Sequence, residues 1–202
     1  MTAATEDPGV VSTGISRPVG DRYTVDDLDR LPDDGLRYEL LDGMLVVSPA
    51  PILWHQEAVF SLAVLLRAAC PRALHVLVAP VDWRPSRTTN LQPDVVVARR
   101  SDLLAVEGLK NLVAPPVLAV EVLSPSTRHL DRISKLAIYQ GAGVPSYWLV
   151  DPSPTDPSLQ VLELRDGHYV EVAHVHGDEE WTAERPFPVT VRPSALVEGL
   201  RD

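Results

Sequence analysis

The chain has 202 residues, 45% of them hydrophobic and 23% charged, and a formal net charge of −10. That length supplies one well-buried core, the composition excludes a wholly disordered chain, and no apolar run approaches the ~20 residues of a membrane-crossing helix. Cys70 is the only cysteine, which excludes an internal disulfide framework and a cysteine-cluster zinc site.

Residues 1–20 carry Glu6 and Asp7 where a signal peptide needs a basic start, and they contain Pro8, Gly9, Gly14, Pro18 and Gly20. They read as a flexible tail, and the expectation is a cytoplasmic protein without membrane attachment. Tyr23 to Leu31 predicts a short acidic helix, with Thr24 and Asp27 as a capping pair and Pro32 as its stop. Arg37 to Val47 predicts a hairpin about Asp42-Gly43. After the breaker Ser48-Pro49-Ala50-Pro51, the residues Ala58, Val59, Leu62, Leu65, Leu66 and Ala69 keep helical spacing up to Pro71. Strands are expected at Leu74 to Ala79, Gln92 to Ala98, Val117 to Leu123 and Ser146 to Asp151, with a helix near Leu130 to Gln140. A second hairpin, Leu159 to Leu164 with Tyr169 to Val175, turns at Asp166-Gly167. This order describes an α/β sandwich around a mixed sheet, not a regular βαβ repeat.

Two carboxylates stand in apolar runs: Asp94 ahead of Val95 to Ala98, and Glu121 within Val117 to Leu123. An ionised carboxylate in a strand covered on both faces costs several kcal/mol in practice unless a cation or donors meet it. Either residue alone fits a solvated strand end or a structural ion pair. Together, on adjacent strand ends, they are hard oxygen ligands of the kind that hold Mg²⁺ or Mn²⁺. The following helix offers a cation: Asp131, Lys135 and Tyr139 form a polar stripe, opposite an apolar stripe of Leu130, Ile133 and Ala137. Lysine is the unusual choice in a chain of sixteen arginines and two lysines, Lys110 and Lys135. The bland alternative is a solvated Asp131–Lys135 pair worth ~0.3–0.5 kcal/mol. His55 follows the proline-rich breaker and can reach such a site, whereas His174 and His176 share the face of an exposed strand. No G-x-S-x-G elbow and no phosphate-cradling glycine motif is present.

The ordered set Tyr38-Glu-Leu-Leu-Asp-Gly43, Gln92-Pro-Asp-Val-Val-Val97, Val120-Glu-Val-Leu-Ser-Pro-Ser126, Asp131-x-x-x-Lys135 and Gly143-Val-Pro-Ser-Tyr-Trp148 resembles the Uma2 family of bacterial proteins, over roughly residues 23 to 175. That family is similar to the PD-(D/E)XK restriction endonucleases. The resemblance implies a restriction endonuclease-like α/β sandwich with a mixed central sheet flanked by helices. With the tail read from composition, the chain divides into 1–20 and a single domain at 21–202, with a nuclease core about 37–151 and a C-terminal β extension at 152–202. The resemblance further implies a divalent metal, Mg²⁺ or Mn²⁺, held by Asp94 and Glu121, with the Val122 carbonyl as a further candidate ligand, Glu39 as an additional acid and Gln92, Asp131 and Tyr139 in support; His55, by its position, is a further supporting candidate. The lysine that the superfold places two residues after the glutamate is absent, since position 123 is Leu123; Lys135 from the next helix matches in its stead. Where the family carries a glutamate near this tryptophan, the chain has Ser146.

The expected activity is metal-assisted hydrolysis of DNA phosphodiesters, with Lys135 orienting a water or stabilising developing charge. Two alternatives use the same residues: a catalytically inactive nuclease-fold module that binds DNA or protein, and a hydrolase of small phosphodiesters. Charge bears on the choice. Residues 1–35 hold eight acids and three bases and residues 152–202 ten and four, whereas residues 36–151 hold ten and eleven, so the acidic excess lies in the flanks. Arg84, Arg87, Arg99, Arg100, Arg128 and Arg132 are candidate phosphate contacts. By analogy with nucleases that cut two strands, a homodimer is expected, with Trp148, Trp181 and Phe187 as candidate contacts.

Overall fold

The computed structural model describes residues 22–105 and 111–201, so the tail at 1–20 and Lys110 lie outside the described residues. Asp27 Oδ2 accepts from both the amide and the hydroxyl of Thr24, at 2.8 and 2.7 Å, which starts α1 (Val25–Leu28) as the capping pattern predicts. Strands β1 (Arg37–Leu41) and β2 (Met44–Ser48) pair across Asp42-Gly43, where both residues take positive φ, 50° and 87°. Two such residues give the turn whose twist matches a hairpin. Helix α2 (Leu53–Ala69) buries Ala58, Leu62 and Leu66. There follow β3 (Leu74–Val78), β4 (Asp82–Ser86), β5 (Thr89–Leu91), β6 (Val95–Arg99), α3 (Arg100–Leu104), β7 (Asn111–Leu112) and β8 (Leu118–Val122). A π-helical turn, Leu130–Lys135, then runs into α4 (Leu136–Gly141). The remaining strands are β9 (Ser146–Asp151), β10 (Ser158–Arg165), β11 (His168–His176), β12 (Trp181–Ala183) and β13 (Val189–Val191), and 3₁₀ turns follow at Pro193–Leu196 and Glu198–Leu200.

The main sheet has six strands in the order β11-β10-β9-β8-β6-β3, antiparallel throughout except for β8 against β9. A smaller sheet runs β2-β1-β5-β4-β7. One face of the main sheet, with Val95, Val97, Val120, Trp148 and Val150, packs on α2 and on the C-terminal residues Val191 and Leu196. The other face, with Val96, Ala98, Ala119, Tyr147 and Leu149, packs on the small sheet and α4 through Leu41, Trp83, Leu91 and Tyr139. Burial on both faces is why β6 and β8 appear in the sequence as unbroken apolar runs. Each such Val or Leu contributes about 1.5–3 kcal/mol when fully buried.

Two expectations need correction, the dimer contacts and the start of the strand at Gln92. Trp148 and Phe187 are core residues and Trp181 packs edge-on against Trp148 at 5.9 Å, so the first two offer nothing to a partner copy. The helix after β8 turns its polar stripe inward: Asp131, Lys135 and Tyr139 are buried, while Ile133 is 55% exposed and Ala137 is also exposed. Ionic and hydrogen-bonding partners waiting beneath the helix outweigh the small gain from burying that apolar stripe. The strand expected from Gln92 begins at Val95, which leaves Asp94 at the bend leading into it. Among the described residues, no helix is long and apolar enough to cross a membrane.

Candidate active site

Side chains two apart on a strand share a face. Asp94 therefore lies on the side of Val96 and Ala98, and Glu121 on the side of Ala119 and Leu123, the face covered by the small sheet and α4. Because β6 and β8 are antiparallel with Val95 opposite Val120, the next step brings Asp94 to the end of β8. There the Val122 amide donates to Asp94 Oδ2 at 2.8 Å. On β1 the same alternation puts Arg37, Glu39 and Leu41 on one side, and His55 enters from the first turn of α2.

The contacts are specific. Asp94 Oδ2 also lies 3.1 Å from His55 Nε2, and Asp94 Oδ1 accepts from Arg37 Nη1 at 2.9 Å. Glu121 Oε1 accepts from the Tyr139 hydroxyl at 2.8 Å and lies 3.1 Å from Lys135 Nζ. Lys135 Nζ is also 3.1 Å from Glu39 Oε1 and 3.3 Å from Asp131 Oδ1. Glu39 Oε1 further accepts the Gln92 amide at 2.8 Å, and Asp131 Oδ2 accepts the Thr127 hydroxyl at 2.9 Å. Tyr139 is held by rings on both sides, Trp83 at 5.3 Å and Tyr147 at 4.8 Å, so its hydroxyl is fixed on Glu121. Arg37, Glu39, His55, Asp94, Glu121, Asp131 and Lys135 line a cleft of about 410 Å³, walled by the loop Ser48 to Ile52 and by Ser124 to Thr127.

Burial works against every charge here, and the neighbours decide the outcome. Burial would raise the Asp94 carboxyl, but the His55 hydrogen bond and the charge of Arg37 hold it below the usual carboxylate range. Burial pushes the Glu121 carboxyl well up; Lys135 opposes this, while Asp131, Asp94 and Glu39 add to it. Asp131 is raised by burial against the pull of Lys135 and Thr127. Lys135, despite burial, is held protonated by Glu121, Glu39 and Asp131.

The donor set fits a divalent cation in type. Glu39, Asp94, Glu121 and Asp131 are hard oxygen donors gathered around the cations Arg37 and Lys135, and a divalent ion would favour the charged form of the carboxyls that burial raises. Among the described residues, no group of three or more His, Cys, Asp or Glu side chains is arranged to hold a metal ion. Hydrated Mg²⁺, however, asks a protein for only one or two carboxylates.

The family model described as "Putative restriction endonuclease", Uma2, matches residues 25–196. The chain belongs to the Uma2 family. No curated protein matches it. Among solved structures, this Uma2 chain is similar to the crystal structure of a "putative nuclease belonging to DUF820" from Anabaena variabilis ATCC 29413. The TM-score is 0.63 at 16% identity, over 89% of this chain and 93% of that one. The likeness establishes the nuclease-like α/β fold.

Among the residues singled out in the Uma2 sequence, Asp94, Glu121, Lys135, Glu39, His55 and Asp131 come together at the cleft, and Tyr139, which does not line it, bonds to Glu121. Gln92 serves through its backbone, since its side chain donates to Asp82 Oδ1 at 2.8 Å. Arg84, Arg87, Arg99 and Arg128 pair with Asp29, Asp26, Asp102 and Asp151, Arg132 donates to Gln160, and none of them lines the cleft. Arg37 was not foreseen, although an arginine two positions before Glu39 on a predicted strand shares its face.

Proposed function

We propose that this Uma2 protein is a metal-dependent endonuclease that hydrolyses phosphodiester bonds of DNA, with Asp94, Glu121 and the Val122 carbonyl as ligands of Mg²⁺ or Mn²⁺. The observation that carries the reading is the meeting of Asp94 and Glu121 at neighbouring strand ends, beside the buried ammonium of Lys135. When bound, the metal supplies Lewis acidity toward the phosphate and an acidified water. His55 and the Val122 amide orient Asp94; Tyr139 orients Glu121. Lys135 is too firmly protonated to act as a base, so it donates: it orients the attacking water and stabilises charge developing on the phosphate. Glu39 and Asp131 hold that ammonium in place. The family description and the nuclease-like fold support the reading.

The test is a screen of plasmid, single-stranded DNA, RNA and small phosphodiesters with Mg²⁺ and Mn²⁺. Plasmid cleavage is expected from the parent and its loss from Asp94→Ala and Lys135→Ala; equal rates in all three would end the proposal. Internal neutralisation of the carboxylates by Arg37 and Lys135 favours, as a second reading, an inactive module. A parent protein that takes up no Mn²⁺ in calorimetry would decide for it.

A further inference from the structure

We infer that Arg37 is an internal cation that holds the place of the divalent metal, yields to it, and then turns its guanidinium to the substrate phosphate. The inference rests on the metal-dependent reading above. Each of the two central carboxylates is half tied down. Asp94 Oδ2 is fixed by the Val122 amide and His55, and Glu121 Oε1 by Tyr139 and Lys135. The other oxygens face one group: Arg37 Nη1 lies 2.9 Å from Asp94 Oδ1, and Arg37 Nη2 lies 4.0 Å from Glu121 Oε2. The guanidinium thus bonds one of the two oxygens left for a metal and stands within ion-pair reach of the other.

Arg37 is also the less firmly seated of the two cations. Lys135 sets its ammonium against three carboxylates at 3.1, 3.1 and 3.3 Å and its side chain is 4% exposed. Arg37 makes one hydrogen bond within the site, its Nη2 approaches Glu39 Oε1 only to 3.5 Å, and its buried Nε and Nη2 have no hydrogen-bond partner. Its side chain retains 24% exposure on the cleft wall, which gives it a route outward. Unused buried donors are costly, and a planar fork of them matches phosphate oxygens in a way an ammonium does not.

A metal that must displace Arg37 binds with its intrinsic affinity reduced by the fraction of molecules in which the guanidinium has left. Calorimetric titration of the full chain with Mn²⁺ should therefore show Arg37→Gln binding about tenfold more tightly than the parent, with Arg37→Lys between them. Binding of a duplex oligonucleotide in Ca²⁺ should weaken in the same variant. In the parent, the Arg37 Nε–H resonance should shift as Mg²⁺ saturates, a measurement that needs no variant to fold. Unchanged or weaker Mn²⁺ binding by Arg37→Gln, or an unmoved resonance at saturating Mg²⁺, overturns the exchange. Tighter Mn²⁺ binding with unaltered duplex affinity overturns the phosphate half. If the parent takes up no Mn²⁺ at all, the metal-dependent reading falls and takes this inference with it.

Discussion

Replacing Lys135 by Met keeps an unbranched stem of similar length and removes one charge facing three carboxylates at 3.1, 3.1 and 3.3 Å. Were this a solvated i,i+4 pair with Asp131, the loss would be about 0.3–0.5 kcal/mol. Taking one partner out of a buried ionic cluster leaves charge uncompensated and costs about 3–5 kcal/mol. The cost also depends on pH. Burial raises the Glu121 carboxyl, Lys135 is the cation opposing that rise, and without it Glu121 takes up a proton at still higher pH. A neutral Glu121 needs no counter-ion, so the variant recovers stability as pH falls, and its deficit against the parent should shrink as pH is lowered towards the ordinary carboxyl value of 4.5. Urea unfolding followed by circular dichroism across a pH series measures it. A deficit below about 1 kcal/mol, or one that stays the same across the series, would refute the account of Lys135 as the keystone of a buried cluster.

Tyr139→Phe keeps the ring between Trp83 and Tyr147 and deletes the donor 2.8 Å from Glu121, so it should cost about 1.5–3 kcal/mol in the same assay; a loss under about 0.5 would show that the hydroxyl is not bonded to a charged group. Glu121→Gln removes a group that binds a proton on folding. Between the ordinary carboxyl value of 4.5 and the raised folded value, the Glu121 contribution falls as pH rises, so the stability of Glu121→Gln relative to the parent should climb with pH, by at most about 1.4 kcal/mol per unit. The comparison belongs above pH 4.5, because Asp94 acts in the opposite sense: its contribution is present above 3.8 and is lost as pH falls through its lowered folded value. A relative stability that stayed flat with pH would mean Glu121 is ionised at no cost. His55→Ala leaves Asp94 Oδ2 with the Val122 amide alone, and Mn²⁺ affinity should weaken about 10–100-fold by calorimetry; unaltered affinity would leave His55 without a positioning role.

The sequence carries the parts of this molecule that depend on local pattern. Two hairpins follow from Asp42-Gly43 and Asp166-Gly167, and the buried strands from their unbroken apolar runs. Asp94 and Glu121 stand out because carboxylates in such runs need partners, and Lys135 because lysine is rare in this chain. Beyond its β1–β2 hairpin the small sheet was not legible: β4 (Asp82–Ser86) includes Arg84 and Pro85 and buries only Trp83, and β5 has three residues, so neither has a pattern to detect. Periodicity also groups residues onto a helix face without saying which face is inside. For Asp131, Lys135 and Tyr139 that choice depended on Glu39 and Glu121, which come from strands remote in sequence. Arg37 escaped notice for the same reason, since its meaning lies in oxygens that only folding brings within reach.

The π turn before α4 has a geometric consequence for this stripe. In a plain α-helix, at 3.6 residues per turn, positions eight apart stand about 80° apart around the axis, so Asp131 and Tyr139 would diverge. A π turn takes about 4.4 residues, so the four steps from Asp131 to Lys135 fall short of a full circle by about 33°, while the four α-helical steps from Lys135 to Tyr139 overshoot it by about 40°. The two offsets nearly cancel, so an ideal turn of each kind returns the three positions to one side of the axis, in keeping with the contacts of Lys135 to Glu39 and Glu121 and of Tyr139 to Glu121. One widened turn thus lets a single short helix turn an acid, an ammonium and a phenol towards the middle of β1 and the end of β8.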